Sequence, residues 1–121
     1  MNLKVRAFNK NTKTMFTWEN LQTAKVFALV DGFPVDTVAV IPTEPHIVLM
    51  QYTGLTDKHG KEIYEGDKFK VGNIKDILIM EFVSGSFGYF FYTEFVSISK
   101  TWSNIKDKIE IIGNIYDDEE G

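Results

Sequence analysis

Met50-Gln51-Tyr52-Thr53-Gly54-Leu55-Thr56-Asp57-Lys58-His59-Gly60-Lys61-Glu62-Ile63-Tyr64-Glu65-Gly66-Asp67 is the stretch on which the fold turns. It continues a run from Ile47 to Tyr52 that is rich in branched and aromatic residues and holds no breaker, which reads as a β-strand. Asp57-Lys58-His59-Gly60 supplies turn chemistry, with Gly60 where left-handed backbone is most needed. Lys61-Glu62-Ile63-Tyr64 then returns as a second strand, and Glu65-Gly66-Asp67 turns the chain again. Lys68-Phe69-Lys70-Val71 follows with charge and apolar side chains alternating, the period of a strand with one buried face.

Toward the N-terminus, Leu3-Lys4-Val5-Arg6-Ala7-Phe8 alternates in the same way and is expected as a strand. Asn9 to Lys13 offers a turn, and Met15 with Phe16 to Trp18 an antiparallel return. From Asn20 to Leu29 the pattern is mixed and suits a short helix or an irregular segment. Asp31-Gly32-Phe33-Pro34 reads as a turn, and Pro42 and Pro45 mark the one internal boundary, near residues 41–46.

Toward the C-terminus, Ile77 to Phe82 is a strand candidate and Ser84-Gly85-Ser86 a tight hairpin loop, with Phe87 to Tyr92 as the partner strand. Phe95 to Ile98 is a further short strand, and Ser99 to Lys108 a polar loop or helical turn. Ile109 to Tyr116 closes the series as a strand in which Gly113 marks a bulge or a close backbone approach. Short strands joined by tight turns from Gly66 onward describe a small barrel. The expected fold is mainly β, α+β overall: a β-rich N-terminal part (1–45) and a C-terminal SH3-like small β-barrel part (46–121), forming one domain.

The 121 residues, 44% hydrophobic and 25% charged, have ordinary globular composition and suffice for a core without staples. With no cysteine, a thiol nucleophile, a disulfide framework and thiolate zinc sites are excluded. No run approaches the roughly 20 apolar residues of a spanning helix, and Met1 to Arg6 does not resemble a signal peptide, so no membrane role is expected. A net charge of −4 gives no global attraction to nucleic acid.

With these elements in place, Val48 to Asp67 resembles the characteristic block of the YopX family. Leu3-Lys4-Val5-Arg6-Ala7-Phe8 with Met15 resembles that family's opening, and Ile112-Gly113-Asn114-Ile115-Tyr116 its close. Phe8-Asn9 stands where the family's opening usually has Trp-Asp, and Lys68-Phe69 where it has an apolar pair. The resemblance implies an uncharacterised protein of phage or prophage origin in the host bacterial cytoplasm, and no reaction. Its family positions here are Gln51, Tyr52, Thr53, Gly54, Leu55, Asp57, Gly60, Ile63, Tyr64, Gly66, Asp67, Gly113 and Asn114, and their expected role is structural.

Asp57, Glu62, Glu65 and Asp67 invite a metal reading, but they lack the ligand spacing of a calcium loop, and Lys58 and Lys61 would repel a cation. Gly54 to Lys61 has one residue too many for a phosphate loop, and Glu62 replaces its hydroxyl residue. Neither histidine, His46 or His59, has a serine and an acid at recognisable spacing. No cofactor, metal or catalytic residue is therefore expected. The dense aromatic run from Phe87 to Phe95 can stack bases, or it can fill a core with one face and offer the other to a partner. Tyr89, Phe91, Phe95, Lys68 and Lys70 are the candidate interaction surface. The leading class is a non-catalytic binding or protein-interaction module, with a protein partner or self-association. A nucleic-acid-binding accessory protein and an enzyme with a carboxylate site near Glu62 to Asp67 are the alternatives.

Overall fold

The computed structural model describes residues 4–23, 29–30, 33–34 and 46–117. In chain order, strands β1 (Val5–Asn9) and β2 (Thr14–Phe16) precede helix α1 (Trp18–Thr23) and the two-residue strands β3 (Leu29–Val30) and β4 (Phe33–Pro34). Then come β5 (Ile47–Thr56), β6 (Glu62–Tyr64), β7 (Asp67–Val71), β8 (Leu78–Ile79), β9 (Glu81–Val83), β10 (Ser86–Phe91) and β11 (Glu94–Ser97). Helix α2 (Ile98–Ile105) and β12 (Ile109–Asn114) complete the series.

The N-terminal strands join the central block in one antiparallel sheet of order β2-β1-β5-β6. Alternation sends Val5 and Ala7 inward, while Phe8, also fully buried, stacks on Tyr116 with ring centroids 4.3 Å apart. The β1–β2 turn is built by Asn9, whose Oδ1 accepts the backbone N–H groups of Asn11 and Thr12. Thr17 and Asn20 cap α1 reciprocally, each side chain accepting the other's backbone N–H. Trp18, expected in the returning strand, is instead the first residue of this helix.

Two further sheets, β12-β7-β8 and β11-β10-β9, curl around a shared core. Ile63, Phe69, Met80 and Ile109 are fully buried at its centre. Helix α2 covers the core with Ile98, Trp102 and Ile105, spaced i, i+4 and i+7 along one face. The expected strand from Ile77 to Phe82 is therefore two strands. Between them the Met80 N–H donates to the Asp67 carbonyl (2.9 Å) and the Met80 carbonyl accepts the Gly66 N–H (2.8 Å). Beyond that corner the chain leaves β7 and pairs with β10. One apolar run thus serves two sheets, which period alone does not disclose.

The β9–β10 hairpin has a two-residue loop with positive φ at both Ser84 (52°) and Gly85 (81°), the twist that suits a tight hairpin. Ile98, expected to end a strand, begins α2, and the segment from Ser99 forms most of that helix. Phe33 and Pro34, expected in a turn, pair with Val30 and Leu29 as a short edge. In β12 the register shifts between Ile111 and Gly113, as the glycine implied. The boundary read near residues 41–46 lies outside the described residues, apart from His46.

Candidate functional site

Local backbone chemistry places most of the polar block in structural roles. Asp57, 5% exposed, caps the β5–β6 turn: its Oδ1 accepts the N–H groups of His59 and Lys61, both at 2.9 Å. Its Oδ2 reaches across the molecule to the Ile111 N–H at 3.0 Å, tying the turn to β12. Burial pushes this carboxyl's pKa up, but the donors from Ile111, Lys61 and His59 outweigh it and hold it below the ordinary carboxylate value.

Asp67, 2% exposed, opens β7. Its Oδ2 accepts the Tyr64 N–H at 2.7 Å and its Oδ1 pairs with Arg6 Nη2 at 2.8 Å. Arg6 also donates to the Glu65 carbonyl and lies 4.9 Å from the centre of the Tyr64 ring. Burial drives the Asp67 pKa above its ordinary value against the pull of Arg6. That carboxylate lines neither cavity described below, so it is a buried tie rather than an accessible acid.

The remaining family positions surround these two. Gln51 is bonded twice to Glu65: its backbone N–H donates to the Glu65 side-chain Oε1 and its carbonyl accepts the Glu65 N–H. Tyr52 packs on Tyr64 with centroids 5.3 Å apart, and Thr53 Oγ1 donates to the Ile63 carbonyl. Leu55 and Ile63 belong to the core. Gly54 lies within the β5–β6 register shift, Gly60 closes the Asp57 turn, and Gly66 forms the β6–β7 turn, all with φ above 80°. Asn114 accepts the Tyr116 N–H beside the Gly113 bulge, and the Ile115 N–H donates to the Gly66 carbonyl. The block and the end of β12, far apart in sequence, are thus one hydrogen-bonded unit.

The aromatic hairpin needs correction. Along β10, Phe87, Tyr89 and Phe91 pack on the barrel core, and Tyr89, 8% exposed, stands edge-on to Phe69 at 5.6 Å. The strand's alternation thus takes Tyr89 off the candidate surface and leaves Phe91 half-buried against the core. Phe90 is exposed and opposite Phe95 on the outer face, with rings 5.3 Å apart. Lys68 and Lys70 lie on a different sheet, in β7, half-buried and exposed respectively, and Lys70 faces Glu110 across the ladder. The structure does not gather these five residues into one site.

Two cavities lie elsewhere. One, about 320 Å³, is an apolar groove where β5, the Gly66 turn and the β8–β9 corner meet. Met50, Ile79, Met80, Phe82 and Ile115 line it, with Glu65 and Glu81 at its edge. Ile79, Phe82 and Ile115 are each about two-fifths exposed. The other, about 280 Å³, sits on the face of the N-terminal sheet among Lys4, Arg6, Trp18, Lys61, Glu62 and Tyr64. Sequence reasoning missed both. The alternation that sets Lys4 and Arg6 on the face of the sheet opposite Val5 and Ala7 was the available signal for the second, while the first depends on the Met80 corner.

Among the described residues, no group of three or more His, Asp or Glu side chains is placed to hold a metal ion. No helix among them is long and apolar enough to cross a membrane. In fold, the chain is similar to protein EF1440 from Enterococcus faecalis, a crystal structure. The TM-score is 0.61 at 23% identity, covering 99% of this chain and 97% of that one. No curated protein matches the chain. The family described as YopX protein matches residues 4–120, nearly the whole sequence. With the polar block, the opening strand and the β12 bulge all inside that match, the chain belongs to the YopX family.

Proposed function

We propose that this chain is a non-catalytic protein-interaction module of phage or prophage origin, working in the host bacterial cytoplasm through the groove between β5 and the β8–β9 corner. The observation that carries the reading is the exposure of Ile79, Phe82 and Ile115 beside one another around that groove. Large apolar side chains grouped in a concavity favour a partner's side chains over water. β8 and β9 are also the outer strands of their sheets, so a partner has a strand edge beside the apolar floor. Glu65 and Glu81 at the rim favour a partner segment that mixes apolar with basic residues. The carboxylates of the polar block support a non-catalytic role, since Asp57 and Asp67 are spent on backbone donors and Arg6. The SH3-like description of the barrel part belongs to the same proposal.

The test is capture from host lysate with the wild-type chain, an Ile79→Lys/Phe82→Lys variant and a Tyr92→Lys control. Tyr92 is 84% exposed and lies outside the groove. A protein held by wild type and control but lost from the groove variant, with unchanged circular dichroism, is the expected result. Capture indifferent to the groove substitutions defeats the reading, and salt-sensitive retention of single-stranded nucleic acid by all three chains replaces it with the nucleic-acid alternative.

A further inference from the structure

The cavity on the N-terminal sheet has an imbalance of hydrogen-bonding groups. Its wall carries two acidic side chains, Glu62 and Glu19. Glu62 is occupied by the Lys4 ammonium, and Glu19 has an interaction of its own. Behind the wall, Asp67 is occupied by Arg6 and by the Tyr64 N–H.

The donors are not matched in this way. Lys61 is exposed, and among the described residues its ammonium has no hydrogen bond or ion pair. Arg6 spends Nη2 on Asp67 and on the Glu65 carbonyl, yet its buried Nε has no acceptor. Tyr64 is 93% buried by its 7% exposure, and among the described residues its hydroxyl makes no hydrogen bond. Burial also raises its pKa, so it stays a protonated donor at neutral pH. Among the described residues Arg6 Nε alone is a buried side-chain atom without a partner, a state that costs free energy, while the exposed Lys61 ammonium and the Tyr64 hydroxyl reach solvent and are committed to no acceptor of the chain, so an acceptor from outside can take them.

The rest of the wall limits what carries that acceptor. Trp18 and Met15 supply an apolar side, and the Tyr64 ring a flat one already stacked in a ladder of Arg6, Tyr64, Tyr52 and Lys4. At about 280 Å³ the cavity lies at the small end of ligand sites, with room for a single-ring molecule rather than a peptide. We infer that the cavity between β1, β6 and the start of α1 binds a small planar organic anion. Its acidic group meets the Lys61 ammonium and the Tyr64 hydroxyl, and its apolar body lies against Trp18 and Met15. This site shares no lining residue with the proposed docking groove and stands or falls independently of it.

The methionines report the two cavities separately, because Met15 lines this one while Met50 and Met80 line the groove. The experiment is a titration of the wild-type chain with benzoate, followed by the methyl resonances of methionine, with benzamide as the uncharged match. Saturable movement of Met15, with Met50 and Met80 still, is the expected result. Benzamide binds at least about ten-fold more weakly, and Lys61→Gln, a change at an exposed residue, weakens benzoate by a similar factor, the scale of one charge-assisted hydrogen bond. No saturation of Met15, movement at Met50 and Met80 instead, or equal binding of benzamide and benzoate each overturns the inference.

Discussion

Asp57 gathers three backbone N–H groups from two distant parts of the chain, and its carboxylate is the acceptor for all of them. Replacement by alanine leaves the Ile111 N–H buried without a partner and releases the turn at His59 and Lys61, a loss of about 2–4 kcal/mol in urea unfolding. Asparagine keeps one acceptor oxygen and costs about half as much. The folded-state pKa of Asp57 lies below its ordinary value, so its contribution is present above the unfolded value near 3.9 and disappears as pH falls through the lower, folded one. Wild type should therefore lose stability more steeply than Asp57→Asn as pH drops below about 4. Parallel curves for the two chains would refute this account of the residue.

At the scale of elements, the turns of the β5–β6–β7 unit differ in what they tolerate. Gly54 and Gly66 both have φ near +85°, a region costly for a residue with a Cβ. Around Gly54 nothing lies within 4 Å of where a Cβ would sit, whereas at Gly66 the Met50 sulfur would be 2.9 Å away. Gly54→Ala should thus cost about 1 kcal/mol, from backbone strain alone. Gly66→Val should cost several, about 2–4 kcal/mol, because Met50 has to move and it also lines the apolar groove. Equal melting temperatures for the two variants would show that packing at the β6–β7 turn does not matter. The turn at Gly66 was legible in the sequence, but the unequal surroundings of the two glycines were not, since Met50 meets Gly66 only through folding.

Across the whole molecule, the Arg6–Asp67 pair joins the N-terminal sheet to the first residue of β7 in the curled barrel region. Removing Arg6 strands a buried carboxylate, and Arg6→Met should destabilise the chain by about 3–5 kcal/mol at neutral pH. The Asp67 pKa is already raised in the folded state, and without Arg6 it rises further. The folded chain then binds a proton more readily than the unfolded one, so the variant should recover stability as pH falls from 7 toward 5. Asp67→Asn added to Arg6→Met should recover part of the loss, because an amide oxygen still accepts the Tyr64 N–H. An Arg6→Met chain as stable as wild type would remove this pair from the forces holding the two regions together. The strands around the polar block, the hairpin at Ser84 and Gly85, the Gly113 bulge and the family were all legible in the amino-acid order, because period, turn residues and spacing are local properties. Which carboxylates are tied up, which aromatic residues turn inward and where the two cavities open were settled by folding. Each of those depends on a partner brought from far along the chain: Ile111 to Asp57, Arg6 to Asp67, Phe69 to Tyr89 and Ile115 to Gly66.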